Sequence, residues 1–142
     1  MKPTVTDSIN IYWKRVFHML RKASKPIFKD LGLNRVDANI LMTLSYENEQ
    51  TKSELADYFS FKPNALTRSL DRLVELELIH RVSSPHDKRY IKVSLSKKGA
   101  QVANQYIKHM RHFWKKGLAD FNEKELQALD NTLKRIFGNL TK

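Results

Sequence analysis

The 142-residue sequence contains no cysteine. Disulfides, thiolate zinc sites and thiol redox sensing are thereby excluded. With only 4 glycines and 4 prolines, the chain reads as helices joined by short turns rather than as a loop-rich fold. No segment approaches the ~20 consecutive apolar residues of a membrane-spanning helix. The opening stretch from Met1 to Asp7 also lacks the apolar run of a secretory signal. The expectation is a soluble, cytoplasmic protein with no membrane partner. There is no nucleophile elbow, no Gly-rich phosphate loop and no zinc-protease motif, so neither an enzyme nor a bound cofactor is expected. Among the five histidines, His18, His80, His86, His109 and His112, the last two stand three apart on one helical face. Without cysteine and with no carboxylate close by, no metal site is expected there.

Positive charge is abundant. Twenty-six Lys and Arg against 15 Asp and Glu leave a formal net charge of +11. Such a field attracts polyanions, of which nucleic acid is the commonest inside cells. The excess is spread from Lys14 and Arg15 to Lys115 and Lys116, so charge names a partner class without locating a site. The hydrophobic content of 41% is enough for one domain, since a chain this long buries roughly 68–70% of its unfolded surface.

Apolar residues Ile9, Tyr12, Trp13, Val16, Phe17, Leu20, Ala23 and Ile27 recur every three or four positions. That spacing predicts a long helix capped by Asp7 or Ser8, kinked or ended by Pro26 and closed by Gly32. Asn34 with Asp37 predicts the start of a second helix, and Thr51-Lys52-Ser53-Glu54 that of a short third. Pro63 is suited to the first position of a fourth, with Leu66, Leu70 and Leu73 turned inward. Two helices separated by a short turn make a helix-turn-helix candidate. The period then changes: Ile79–Val82 is strand-like, Ser83–Lys88 is turn chemistry, and residues 90–95 alternate. A β-hairpin placed there is a wing. Helical spacing returns from Val102 to Leu118. Asn122 and Glu125 predict a last helix whose Leu126, Leu129, Leu133, Ile136 and Leu140 follow the seam spacing of packed helices.

On the fourth helix Asn64, Thr67, Arg68, Asp71 and Arg72 remain for solvent or a ligand. Arg suits guanine edges, Asn suits adenine, and Thr suits phosphate or a thymine methyl. Asp71 would repel phosphate and is expected to pair with a neighbouring arginine. At the hairpin tip, Lys88 and Arg89 could enter a narrow minor groove, with Asp87 bracing the wing by orienting Arg89.

The runs Leu55-Ala56-Asp57-Tyr58-Phe59, Asn64 to Leu73, Leu78-Ile79-His80-Arg81, and Asp87-Lys88-Arg89 followed by Leu95-Ser96-Lys97-Lys98-Gly99 together resemble the MarR family of transcriptional regulators. The resemblance implies a mostly α fold with a small β-hairpin wing: a winged helix-turn-helix over 34–97, with 1–33 and 98–142 forming a helical dimerisation region. It further implies a homodimer that reads a palindromic operator in double-stranded DNA, and a repressor relieved by a small aromatic effector. The expected DNA contacts are Lys62, Pro63, Asn64, Ala65, Thr67, Arg68, Arg72, Lys88 and Arg89. Tyr12, Trp13 and Phe17 are candidates for an effector pocket, although an aromatic stripe at helical spacing equally describes core packing. Three positions depart from the family pattern. Glu77 replaces the usual glycine after the recognition helix, Lys62 the usual N-cap serine, and Ser96 a threonine. Two other functions fit parts of the sequence: a non-specific architectural nucleic-acid binder, and an interaction module with no nucleic-acid role.

Overall fold

The helices start where side chains satisfy their first backbone N–H groups. In the computed structural model, which describes residues 1–59, 61–83 and 91–142, α1 spans Val5–Leu31 and is capped by Thr4. Thr4 Oγ1 accepts from the Asp7 N–H at 3.2 Å, and Asp7 Oδ2 accepts from the Thr4 N–H at 2.7 Å. The bond from the Thr4 N–H foremost, and a second from the Thr4 hydroxyl to Asp7 Oδ2 at 2.8 Å, hold the Asp7 carboxyl below its ordinary range. The apolar period, which begins at Ile9, places this start a turn too late; Asp7 is the third residue of the helix and not its cap. At the other end the helix runs through Pro26 rather than ending there. It closes at Gly32, whose φ of 67° is left-handed. The Gly32 and Leu33 N–H groups turn back to Lys29 and Phe28 carbonyls, a Schellman ending.

The remaining elements are α2 (Arg35–Glu47), β1 (Gln50–Thr51), α3 (Lys52–Phe59), α4 (Pro63–Glu75), β2 (Ile79–Ser83), β3 (Ile91–Leu95), α5 (Lys97–Gly117) and α6 (Glu123–Leu140). The Asn34–Asp37 and Asn122–Glu125 boxes close as expected, as does Thr51–Glu54 at α3. The three strands form one antiparallel sheet ordered β1-β3-β2, with Arg81 opposite Val93 and Gln50 on its other side. The hairpin is therefore present, and β1 is an addition that two residues without alternation could not announce. Only part of the alternating face of β3 is sealed: Val93 is buried, Leu95 half-buried and Ile91 exposed.

The chain divides into two compact units, 1–110 and 111–142. The core of the first gathers Ile40, Leu41 and Leu44 of α2, Leu55 of α3, Leu66, Leu70 and Leu73 of α4, and Val93 of β3. Each such leucine contributes roughly 1.5–3 kcal/mol by leaving water. Ala103 and Tyr106 of α5 belong to the same core, with Ile27, Phe28 and Leu31 of α1 packed against it. The helix-turn-helix thus borrows part of its core from outside 34–97. In the second unit α6 buries no residue at all.

Candidate nucleic-acid interface

The position of α4 is set at both ends. Its start follows residues 60–62 with Pro63 in the first turn, and Lys62, the N-cap, makes no side-chain capping bond. Its end is a Schellman turn in which the Leu78 N–H reaches the Leu73 carbonyl at 2.9 Å and the Glu77 N–H reaches Val74 at 3.0 Å. Glu77 holds the left-handed position, at φ 60°, where glycine carries no steric penalty. The turn is then fastened to α5. The Ser96 N–H donates to the Leu78 carbonyl at 3.0 Å. The Ser96 hydroxyl donates to Glu77 O at 2.6 Å and accepts from the Gly99 N–H at 2.9 Å. Gly99 lies so close that a Cβ there would sit 1.8 Å from the Leu78 carbonyl oxygen. The serine hydroxyl therefore caps α5, as its chemistry predicts, and also ties α5 to the end of α4.

Leu66, Ser69, Leu70 and Leu73 of α4 are buried. Lys62, Pro63, Asn64, Thr67 and Arg68 are exposed, and Ala65 is half-buried. Thr67 donates to the Pro63 carbonyl at 2.9 Å and accepts from Lys52 Nζ of α3 at 2.5 Å. Lys52 was not among the sequence candidates; its place at the start of the first helix of the motif is the signal that points to it. Asp71 pairs with Arg81 of β2 at 2.6 Å, which supplies the arginine partner expected for it. Both partners are exposed, so the pair contributes at most about 1 kcal/mol. Arg72 is placed differently from the other candidates: its guanidinium lies against Asp37 of α2, whose side chain is fully buried. Asp87, Lys88 and Arg89 lie outside the described residues.

The aromatic candidates on α1 divide. Tyr12 and Trp13 are each 60% exposed and lie away from any lining described. Phe17 lines a cavity of about 980 Å³, together with Arg21, Lys25, Arg35, Phe28 and Tyr106. Residues of the first turn of α2 complete part of the wall, and no carboxylate is among the lining residues. Burial pushes the Tyr106 hydroxyl up from its ordinary pKa, with the Arg35 charge opposing the rise. His109 meets the Ala23 carbonyl through Nε2 at 2.8 Å, a bond between α5 and α1. Among the described residues no helix is long and apolar enough to cross a membrane.

Comparison with known proteins agrees with this geometry. Residues 31–89 match the MarR family model. The chain is 27% identical over 129 residues to the HTH-type transcriptional regulator YpoP of Bacillus subtilis, covering 91% of this chain and 88% of that one. It is 24% identical over 135 residues to the HTH-type transcriptional repressor IacR of Pseudomonas putida, covering 94% and 81%. Its fold is similar to that of a MarR-family transcriptional regulator from Silicibacter pomeroyi, with a TM-score of 0.87 at 22% identity over 96% of this chain and 92% of that one. The chain is thus similar to the MarR family of transcriptional regulators, by the family-model match over residues 31–89 and by relatives named as HTH-type transcriptional regulators or repressors, and it shares their fold.

Proposed function

We propose that the chain binds double-stranded DNA as a homodimer, reads a palindromic operator, and represses transcription until a small aromatic ligand releases it. The observation that carries this reading is the exposed face of α4, where Asn64, Thr67 and Arg68 stand beside Lys52 and Lys62 over a fully buried leucine row. Asn64 and Arg68 are the base-reading residues in this proposal, while Lys52 and Lys62 contact phosphate. Lys88 and Arg89 supply the wing contact between the paired strands β2 and β3, with Asp87 bracing it.

Two copies are needed because one wing and helix module offers only ~600–1,000 Å² to DNA. Pairing places two reading helices about one turn of duplex apart, ~34–36 Å. Residues 1–33 and 98–142 provide the pairing surface in this reading. Support comes from the uncovered apolar faces of α6 (Leu129, Leu133, Ile136, Leu140) and of the first half of α1 (Ile9, Tyr12, Trp13, Val16), all at least one-third exposed in the single chain. The cavity beside Phe17 is the effector site. Its aromatic and cationic lining fits an aromatic ligand with an anionic group. A ligand that moved the first turn of α2 would reach α4 through Asp37.

A mobility-shift titration on DNA upstream of the protein's own coding region, with excess bulk DNA, tests the reading. Specific binding should resist the competitor by ~10³-fold or more. Arg68→Ala should lower affinity by about 1–3 kcal/mol and relax preference at one base position, whereas Arg89→Ala should weaken binding broadly and flatten its salt dependence. The net charge of +11 also favours an architectural binder, which would yield to bulk DNA. Wild-type binding by both variants would remove the proposed reader.

A further inference from the structure

Arg72 follows Arg68 by one helical turn, so by spacing it belongs with the DNA-facing residues of α4. Its surroundings say otherwise. The Nη2 atom is in ion-pair contact with Asp37 Oδ2, and both Nε and Nη2 are sealed from solvent. Asp37 is 0% exposed. It is the third residue of α2, where Oδ2 also accepts from the Asn34 N–H at 2.9 Å. A carboxylate sealed from water needs a countercharge, and Arg72 is the cation in contact with it among the described residues. Asp37 Oδ1 and Arg72 Nε are buried without a hydrogen-bond partner; they are a complementary acceptor and donor, the pair that a forked guanidinium–carboxylate contact would use. For Arg72 to grip a phosphate with its fork, it would have to abandon that buried charge.

We infer that Arg72 is a positioning residue rather than a DNA contact: although its side chain as a whole is 43% exposed, its inner nitrogens and the buried Asp37 carboxylate form a strut that sets how α4 is presented from α2. The inference rests on α4 being the reading helix. Asn34, one turn before Asp37, lines the cavity, so the strut joins the cavity rim to the reading helix.

The test measures operator affinity against salt concentration for the wild type, Arg72→Lys, Arg72→Gln, Asp37→Asn and the Asp37→Asn/Arg72→Gln double variant. It is paired with hydrogen exchange of α4 amides in free protein. A strut predicts that Arg72→Gln and Asp37→Asn each weaken binding on the order of tenfold, and that the double variant is no worse than either, because both single changes break one contact. The slope of log affinity on log salt stays at the wild-type value. Amides in the second half of α4 exchange faster in each variant and at the wild-type rate in Arg68→Ala. Arg72→Lys keeps the charge without the fork and is expected to show the same unchanged slope with partial loss of affinity. A phosphate contact predicts the reverse: a slope reduced by ~0.9 in Arg72→Gln, full slope in Arg72→Lys, wild-type binding by Asp37→Asn, and unaltered exchange. That pattern would overturn the strut. Should Asp37→Asn not fold, the Arg72→Gln slope and the α4 exchange decide alone. Should the wild type show no operator preference, the DNA reading fails while the exchange arm still judges the strut.

Discussion

Residues 1–110 and 111–142 carry the same helical spacing of apolar side chains and use it differently. On α4 the spacing of Leu66, Leu70 and Leu73 leaves Leu66 and Leu73 at 0% exposure. On α6 the spacing of Leu129, Leu133, Ile136 and Leu140 leaves exposures from 37% to 80%. The second unit holds its helix by local devices, an Asn122–Glu125 capping box and an Asp130–Lys134 pair at 2.6 Å, which together contribute only about 1–2 kcal/mol. The contrast teaches that helical periodicity identifies an apolar face without identifying what covers it. On α4 the cover is the chain itself; on α6, a partner copy is the proposal.

The largest effect that would test this contrast is at the sealed face. Leu66→Ala should lower the unfolding free energy by about 2–5 kcal/mol through lost burial and a residual cavity, measured by urea denaturation. The matching truncation on α6, Leu133→Ala, should leave chain stability within about 0.5 kcal/mol at dilutions where the protein is monomeric. It should instead weaken self-association by about tenfold, the loss expected for a leucine buried between copies, read by sedimentation and by the concentration dependence of the melting temperature. Equal losses of chain stability at the two positions would erase the distinction between the units.

A smaller effect sharpens the comparison within the first unit. The α1 and α4 helices end in the same Schellman turn, one on Gly32 at φ 67° and the other on Glu77 at φ 60°. Left-handed backbone is free for glycine and costs other residues about 1 kcal/mol. Glu77→Gly should therefore raise stability by up to about 1 kcal/mol without altering the operator preference, measured by thermal denaturation and DNA titration. A loss of stability would mean that the Glu77 side chain has a role that the turn geometry does not reveal.

Much of the helical framework is legible in the residues alone. The boxes at Asn34, Thr51 and Asn122 involve side chains and N–H groups three positions apart, so the chain carries both partners wherever it folds. The Thr4–Asp7 box is equally local, and the reading from Ile9 misses it because apolar period outranks capping chemistry there. Pro26 is a caution in the other direction: a residue that usually breaks helices sits inside α1, where the ending belongs to Gly32. The helix-turn-helix, the wing strands and the outward polar face of α4 were also readable, because period 3.6 and period 2 are short-range patterns. Docking decided the rest. β1 exists only because Gln50 and Thr51 meet β3. Lys52 joins the α4 face by reaching Thr67, Arg81 neutralises Asp71, and Arg72 turns inward to Asp37. Each of those contacts joins residues far apart in the chain, and the spacing of one helix cannot say which neighbour will lie across it. What the sequence by itself determined is which faces are apolar, polar or capped; what the tertiary structure decided is which charge answers which, because that depends on how the elements pack against one another.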